Sequence, residues 1–146
     1  MRAFPNEVIH MAETKKFAMV VSEGSFDKAM MAMMMANTAA SMGIETHVFY
    51  TFFGLKLLKK GAKPKMPGMM RLFTGMMIKK MKGIGIDGYQ EQMDMAKELG
   101  VKIYACNTSM SMMGIKQEDL IDGITVLGAA AFLDIGTDSD MQLFIG

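Results

Sequence analysis

The 146-residue chain predicts an α/β fold: a three-layer α/β/α sandwich around a mainly parallel sheet of about five strands. Two observations lead there. The runs Lys16–Ser22 (KFAMVVS), Ile44–Tyr50 (IETHVFY) and Val101–Ala105 (VKIYA) have strand length and little polar alternation. Strands of a parallel sheet, covered on both faces, read this way. Helix-length segments stand between these runs, and a β–α–β spacing calls for parallel neighbours joined by a right-handed crossover.

The elements follow in order. Lys16–Ser22 is the first strand. Glu23-Gly24-Ser25 makes the turn, with Ser25 as helix N-cap. Phe26–Met42 is helical and Gly43 stops it. Met30, Met31, Met33, Met34 and Met35 make this helix apolar almost all round, which predicts burial against a second subunit as well as the sheet. Ile44–Tyr50 is the second strand. Thr51-Phe52-Phe53-Gly54 follows it, then a short helix at Leu55–Lys60. An aromatic cluster there is core by default. Tyr89–Leu99 is an amphipathic helix closed by Gly100. After Val101–Ala105, a helical turn at Gln117–Ile121, a strand at Gly123–Leu127, a helix at Gly128–Ile135 and a last strand at Gln142–Ile145 complete the alternation.

The segment Gly61–Gly88 breaks the pattern. It carries Pro64, Pro67, repeated Met pairs and clustered lysines without a sustained period. It is expected to be a mobile Met/Gly/Lys-rich insertion with a short basic amphipathic piece around Met69–Met81. Long loops in compact domains are usually functional or disordered. Adaptable Met side chains beside lysines suit an acidic partner or peripheral contact with anionic lipid. Residues 1–14 are read as a loose N-terminal tail, because the start lacks the apolar run of a signal peptide.

Composition narrows the function classes. Apolar residues make up 51% and charged residues 21%, the range of one ordinary globular domain. The formal net charge of +1 gives no reason to expect a nucleic-acid binder. One cysteine excludes an internal disulfide framework and fits a reducing, cytoplasmic compartment. The longest charge-free stretch, Ala29–Ile44, is shorter than a membrane span and contains Asn37, Thr38 and Ser41.

No cofactor or metal is expected. Gly83-Ile84-Gly85-Ile86-Asp87-Gly88 matches a dinucleotide fingerprint literally, but it follows a Met/Lys run instead of a strand. His10 and His47 are isolated, and His47 reads as a satisfied sheet histidine. Clustered methionines favour Cu(I) in principle. Those of the first helix are already explained by packing.

Chemistry concentrates in Val101–Ile115, VKIYACNTSMSMMGI. A strand ends near Cys106, and Asn107, Thr108 and Ser109 are all good N-caps. Ligands in open α/β sheets bind beyond the carboxyl ends of the strands. A helix N-terminus carries partial positive charge, a thiol facing it can have its pKa lowered, and the thiolate is the nucleophile. The competing reading is a packed cysteine acting as a small hydrophobe. Ser22, Tyr50 and Phe52, at other strand ends, are candidates to share a pocket with it.

At these residues the chain resembles the DsrE/DsrF/DsrH-like family, in particular its DsrE-type sulfur-trafficking branch. The resemblance rests on MVVSEGSFDKA, HVFYTFFGLKLL, ACNTSMSMMGI and GAAAFLDIGTDSDMQLFIG, and it covers most of Lys16–Gly146. It implies a parallel α/β fold, a homo-oligomer, and Cys106 carrying sulfane sulfur as a persulfide. It implies partners such as a small TusA-like sulfur carrier or a rhodanese. Asn107, Thr108 and Ser109 would cradle the anionic sulfur with backbone N–H groups. Some relatives use a second cysteine; this chain has none, so transfer needs an external thiol. The alternatives are a non-catalytic oligomeric interaction module using the Met-rich loop, and a rhodanese-like or peroxiredoxin-like thiol enzyme. The last would usually want a resolving thiol.

Overall fold

Lys16–Val21 (β1), Glu45–Tyr50 (β2), Lys102–Cys106 (β3), Ile124–Leu127 (β4) and Met141–Ile145 (β5) form one sheet in the computed structural model, which describes residues 15–146. The order is β4-β3-β2-β1-β5, and all four pairings are parallel. The expected five-strand parallel α/β architecture is therefore present. The expectation of a loose tail at residues 1–14 lies outside the described residues, as does His10.

Among the described residues, six helices surround or cap the sheet. They are α1 (Phe26–Ser41), α2 (Thr74–Gly83), α3 (Tyr89–Glu98), α4 (Asn107–Met113) and α5 (Ala129–Thr137), with a 3₁₀ helix at Phe52–Leu58. Shorter 3₁₀ segments lie at Gly68–Phe73 and Gln117–Asp119. Strand alternation sends successive side chains to opposite faces. Phe17, Met19, Val21, Val48, Tyr50, Ile103 and Ala105 share the face packed by α1 and α3. Ala18, Phe49, Tyr104 and Cys106 share the other face, with Phe132 of α5. The first face is thick; the second rests on one short helix.

Helix α1 buries Met30 and Met33 and leaves Met31, Met34 and Met35 exposed on its outer side. Ser25 stands at its N-cap position, but its hydroxyl makes no capping bond. The Phe26 N–H donates instead to the Lys65 carbonyl at 2.8 Å. His47 is satisfied as expected: Nδ1 pairs with the Tyr104 hydroxyl and Nε2 with Glu45 Oε1, each at 2.8 Å.

The 61–88 segment carries regular structure where a short basic amphipathic piece around Met69–Met81 was expected. The Gly68–Phe73 turn runs into α2, whose Met77, Ile78 and Met81 pack on the main core. Those three positions have helical spacing. The face they complete is supplied by residues distant in the chain.

Candidate functional site

The site begins with strand register. Val21, Tyr50 and Ala105 lie side by side across β1, β2 and β3. One residue further on, Ser22, Thr51 and Cys106 continue as a row along the carboxyl edge. Leu127 flanks Cys106 and Ile145 lies beside Val21, so the row spans the sheet. Neighbouring strands are about 4.8 Å apart, which puts Thr51 next to Cys106 and Ser22 roughly 10 Å away.

The edge is held by close backbone approach. Thr51 N–H donates to the Val21 carbonyl at 3.0 Å, and Gly54 N–H donates to the Ser22 carbonyl at 3.1 Å. A Cβ at Gly54 would stand 2.3 Å from the Val21 carbonyl oxygen, so only glycine lets the 52–58 helix sit on the end of β1. Phe52, between them, has φ 46°. A non-glycine residue there is strained, and such strain gathers at functional corners.

Cys106 is the N-cap residue of α4, a position that the Asn107–Ser109 run was expected to fill. The thiol is buried, 5% exposed, while Asn107 and Thr108 are exposed at the rim. Burial raises its pKa, but polar hydrogens around the sulfur outweigh that and hold the thiol below its ordinary value. They come from the Ser109 hydroxyl and N–H, the Thr51 hydroxyl and, least, the Thr108 N–H. The Thr108 N–H also donates to Asn107 Oδ1 at 2.7 Å. Thr51 Oγ1 and Ser109 Oγ are 2.8 Å apart and hydrogen-bonded. Each hydroxyl has one proton. One proton is spent between the two oxygens, and the other is left for the sulfur.

Of the residues singled out from sequence, Cys106, Thr108 and Ser109 come together, with Asn107 at the rim. Ser22 stands in the same edge row, two strands along. Phe52 lies on the exposed rim beyond Thr51, 49% exposed. Tyr50 is not brought to the thiol: its neighbour Ala105 faces the thick core, so Tyr50 points away from Cys106. Its hydroxyl is buried there without a partner among the described residues, and burial raises its pKa. Thr51 was missed. Its signal, a hydroxyl one residue past a strand, needs strand register to become visible.

No group of three or more potential metal ligands occurs among the described residues. The GxGxxG stretch runs from the end of α2 to the residue before α3, with no strand ahead of it. Among the same residues, no helix is long and apolar enough to cross a membrane.

Fold and edge together define a parallel α/β protein with its one thiol at the carboxyl end of an inner strand. The chain belongs to the DsrE/DsrF/DrsH-like family, whose profile matches residues 13–69 and 65–144. It is 34% identical over 160 residues to the sulfur carrier protein DsrE2 of Allochromatium vinosum, covering 91% of this chain and 99% of that one. It is also 34% identical to the uncharacterized protein YrkE of Bacillus subtilis, covering 91% and 98%. The E. coli ychN protein shares the fold with a TM-score of 0.60 at 15% identity, over 90% of this chain and 98% of that one. MTH1491 of Methanobacterium thermoautotrophicum does so with a TM-score of 0.62 at 13% identity, over 88% and 98%.

Proposed function

We propose that the protein traffics sulfur, carrying sulfane sulfur as a persulfide on Cys106 and passing it to the thiol of a carrier protein. The observation that carries this reading is the set of polar hydrogens from Ser109, Thr51 and Thr108 around the chain's one thiol. The 34% identity to a protein named as a sulfur carrier supports it.

The chemistry balances without a cofactor. The Cys106 thiolate attacks the outer sulfur of a donor persulfide. The donor S–S bond breaks, the donor leaves as a thiolate, and Cys106 holds the sulfur. An acceptor thiolate then attacks that outer sulfur, and Cys106 leaves as a thiolate. No net oxidation occurs. The hydrogens that favour the Cys106 thiolate also make it a good leaving group in the second half. With no second cysteine, the acceptor thiol must come from another molecule, such as a small TusA-like carrier or a rhodanese.

Intact mass after incubation with polysulfide tests the reading. Wild type should gain mass in steps of one sulfur atom, and Cys106→Ser should gain none. An unreactive wild-type thiol would favour the interaction module instead. The reading also includes a homo-oligomer, supported by the exposed Met31, Met34 and Met35 on α1. Light scattering at micromolar concentration should exceed a 16.1 kDa monomer.

A further inference from the structure

The net charge of +1 conceals a segregation. Thr46–Ile86 holds nine of the sixteen lysines and arginines and none of the fifteen carboxylates. The remaining sequence therefore sets seven cations against all fifteen carboxylates.

The fold gathers part of this segment at one edge of the sheet, where Glu23, Asp27, Asp87 and Glu91 also stand. Lys65 lies against the start of α1, and the Tyr89 hydroxyl at the start of α3 donates to the Leu57 carbonyl. Both helix starts sit at the carboxyl edge of the sheet, so the cationic segment covers that edge. Asp138 and Asp140 bond to Lys16, at the opposite edge.

Lys56, Lys63, Lys65 and Arg71 converge on one open cleft of about 330 Å³, with Gly24 and no carboxylate in its lining. None of the four makes an ion pair among the described residues. Four cations around one cleft repel each other, and an anion relieves that repulsion. Beside the cleft, Met69 and Leu72 are 90% and 88% exposed, and Met76 follows one turn on at 66%. Met70, Phe73, Met76, Met77 and Lys80 form an adjoining shallow groove.

We propose that this carboxyl-edge surface docks the protein on an anionic lipid bilayer. Headgroup phosphates seat in the Lys56–Lys63–Lys65–Arg71 cleft, and Met69, Leu72 and Met76 enter the acyl boundary. Apolar tips interleaved with cations have the composition of interfacial elements. A lipid surface takes up side chains that protrude almost fully into solvent, as Met69 and Leu72 do. Nucleic acid fits less well, since aliphatic tips neither stack on bases nor read their edges. The proposal stands independently of the persulfide chemistry.

Vesicle co-sedimentation tests it, using phosphatidylcholine alone and phosphatidylcholine with about 30% phosphatidylglycerol at about 0.1 M salt. The mixed vesicles should bind at least about tenfold better, and about 0.5 M salt should remove most of that binding. The variant Lys63→Gln/Lys65→Gln/Arg71→Gln should bind about tenfold more weakly, while Lys63→Arg/Lys65→Arg should bind like wild type. Met69→Ser/Leu72→Ser should weaken binding several-fold with its thermal melt unchanged.

Equal binding to neutral vesicles, or none to the mixed ones, overturns the proposal. Inorganic phosphate bound in the cleft without vesicle binding makes it a free-anion site and also overturns it. So does a fall to monomer in the Met69→Ser/Leu72→Ser variant, which would mean that a second copy covers these tips. An unreactive Cys106 would leave the vesicle result unaffected.

Discussion

The two faces of the sheet are built differently. One carries α1 and α3 over a large continuous core that includes Met19, Met33, Tyr50 and Leu55, each shielded from solvent. The other carries α5 over a small cluster of Ala18, Phe49, Tyr104, Cys106 and Phe132. Phe49 and Phe132 stack there at 4.5 Å between ring centroids, while Leu133 and Phe144 remain 65% and 68% exposed. The difference separates two jobs. Stability resides mostly on the thick face, where burial is complete. The thiol sits at the edge of the thin face, beside the exposed Asn107 and Thr108. Tyr50 and Cys106 differ by one step in register and fall on opposite sides of this division.

Met33→Ala gives the sharpest contrast. It removes a fully buried side chain from the thick core and should lower stability by about 2–5 kcal/mol in chemical denaturation. Phe144→Ser on the thin face should stay within about 0.5 kcal/mol of wild type in the monomer. Comparable losses at both positions would break the comparison.

A smaller effect probes the edge itself. The Cys106 thiol lies below its ordinary pKa, so its alkylation rate should hold up to a lower pH than a free thiol's. Ser109→Ala removes the hydroxyl that does most to favour the thiolate and should move the rate profile to higher pH, slowing alkylation near pH 7 by roughly three- to tenfold. Thr51→Val should do less, because the freed Ser109 hydroxyl can still turn to the sulfur. The reverse ranking would show that Thr51 supplies the proton.

The smallest effect concerns His47 on the thin face. Burial holds its imidazole below the ordinary value of 6.5, against the opposing pull of Glu45. The unfolded chain takes up a proton as pH falls through about 6.5, while the folded chain resists it. This group therefore makes the native state less stable as pH falls below that value. His47→Gln should flatten the decline in stability between about pH 7 and 5. An unchanged slope would show that His47 titrates alike in both states.

Much of this protein was determined by the sequence alone. KFAMVV, ETHVFY and KIYAC are apolar at successive positions, and only a sheet covered on both faces buries both sets. Cys106 could be placed at a strand's carboxyl end because the apolar run stops there and capping residues follow. Local order extended no further. Which strand lies beside β3, and in which register, depends on contacts between distant segments, so the row Ser22–Thr51–Cys106 and the pairing of Thr51 with Ser109 were decided by tertiary structure. The same holds for Tyr50, whose side of the sheet follows from register and strand parity together. An amphipathic piece around Met69–Met81 was legible, but that Met77, Ile78 and Met81 of α2 pack on the main core was decided by elements distant in the chain. The charge sequence records nine cations without a carboxylate, but only the fold draws four of them around one cleft, because electrostatic repulsion acts through space and the chain's order does not fix which residues share it.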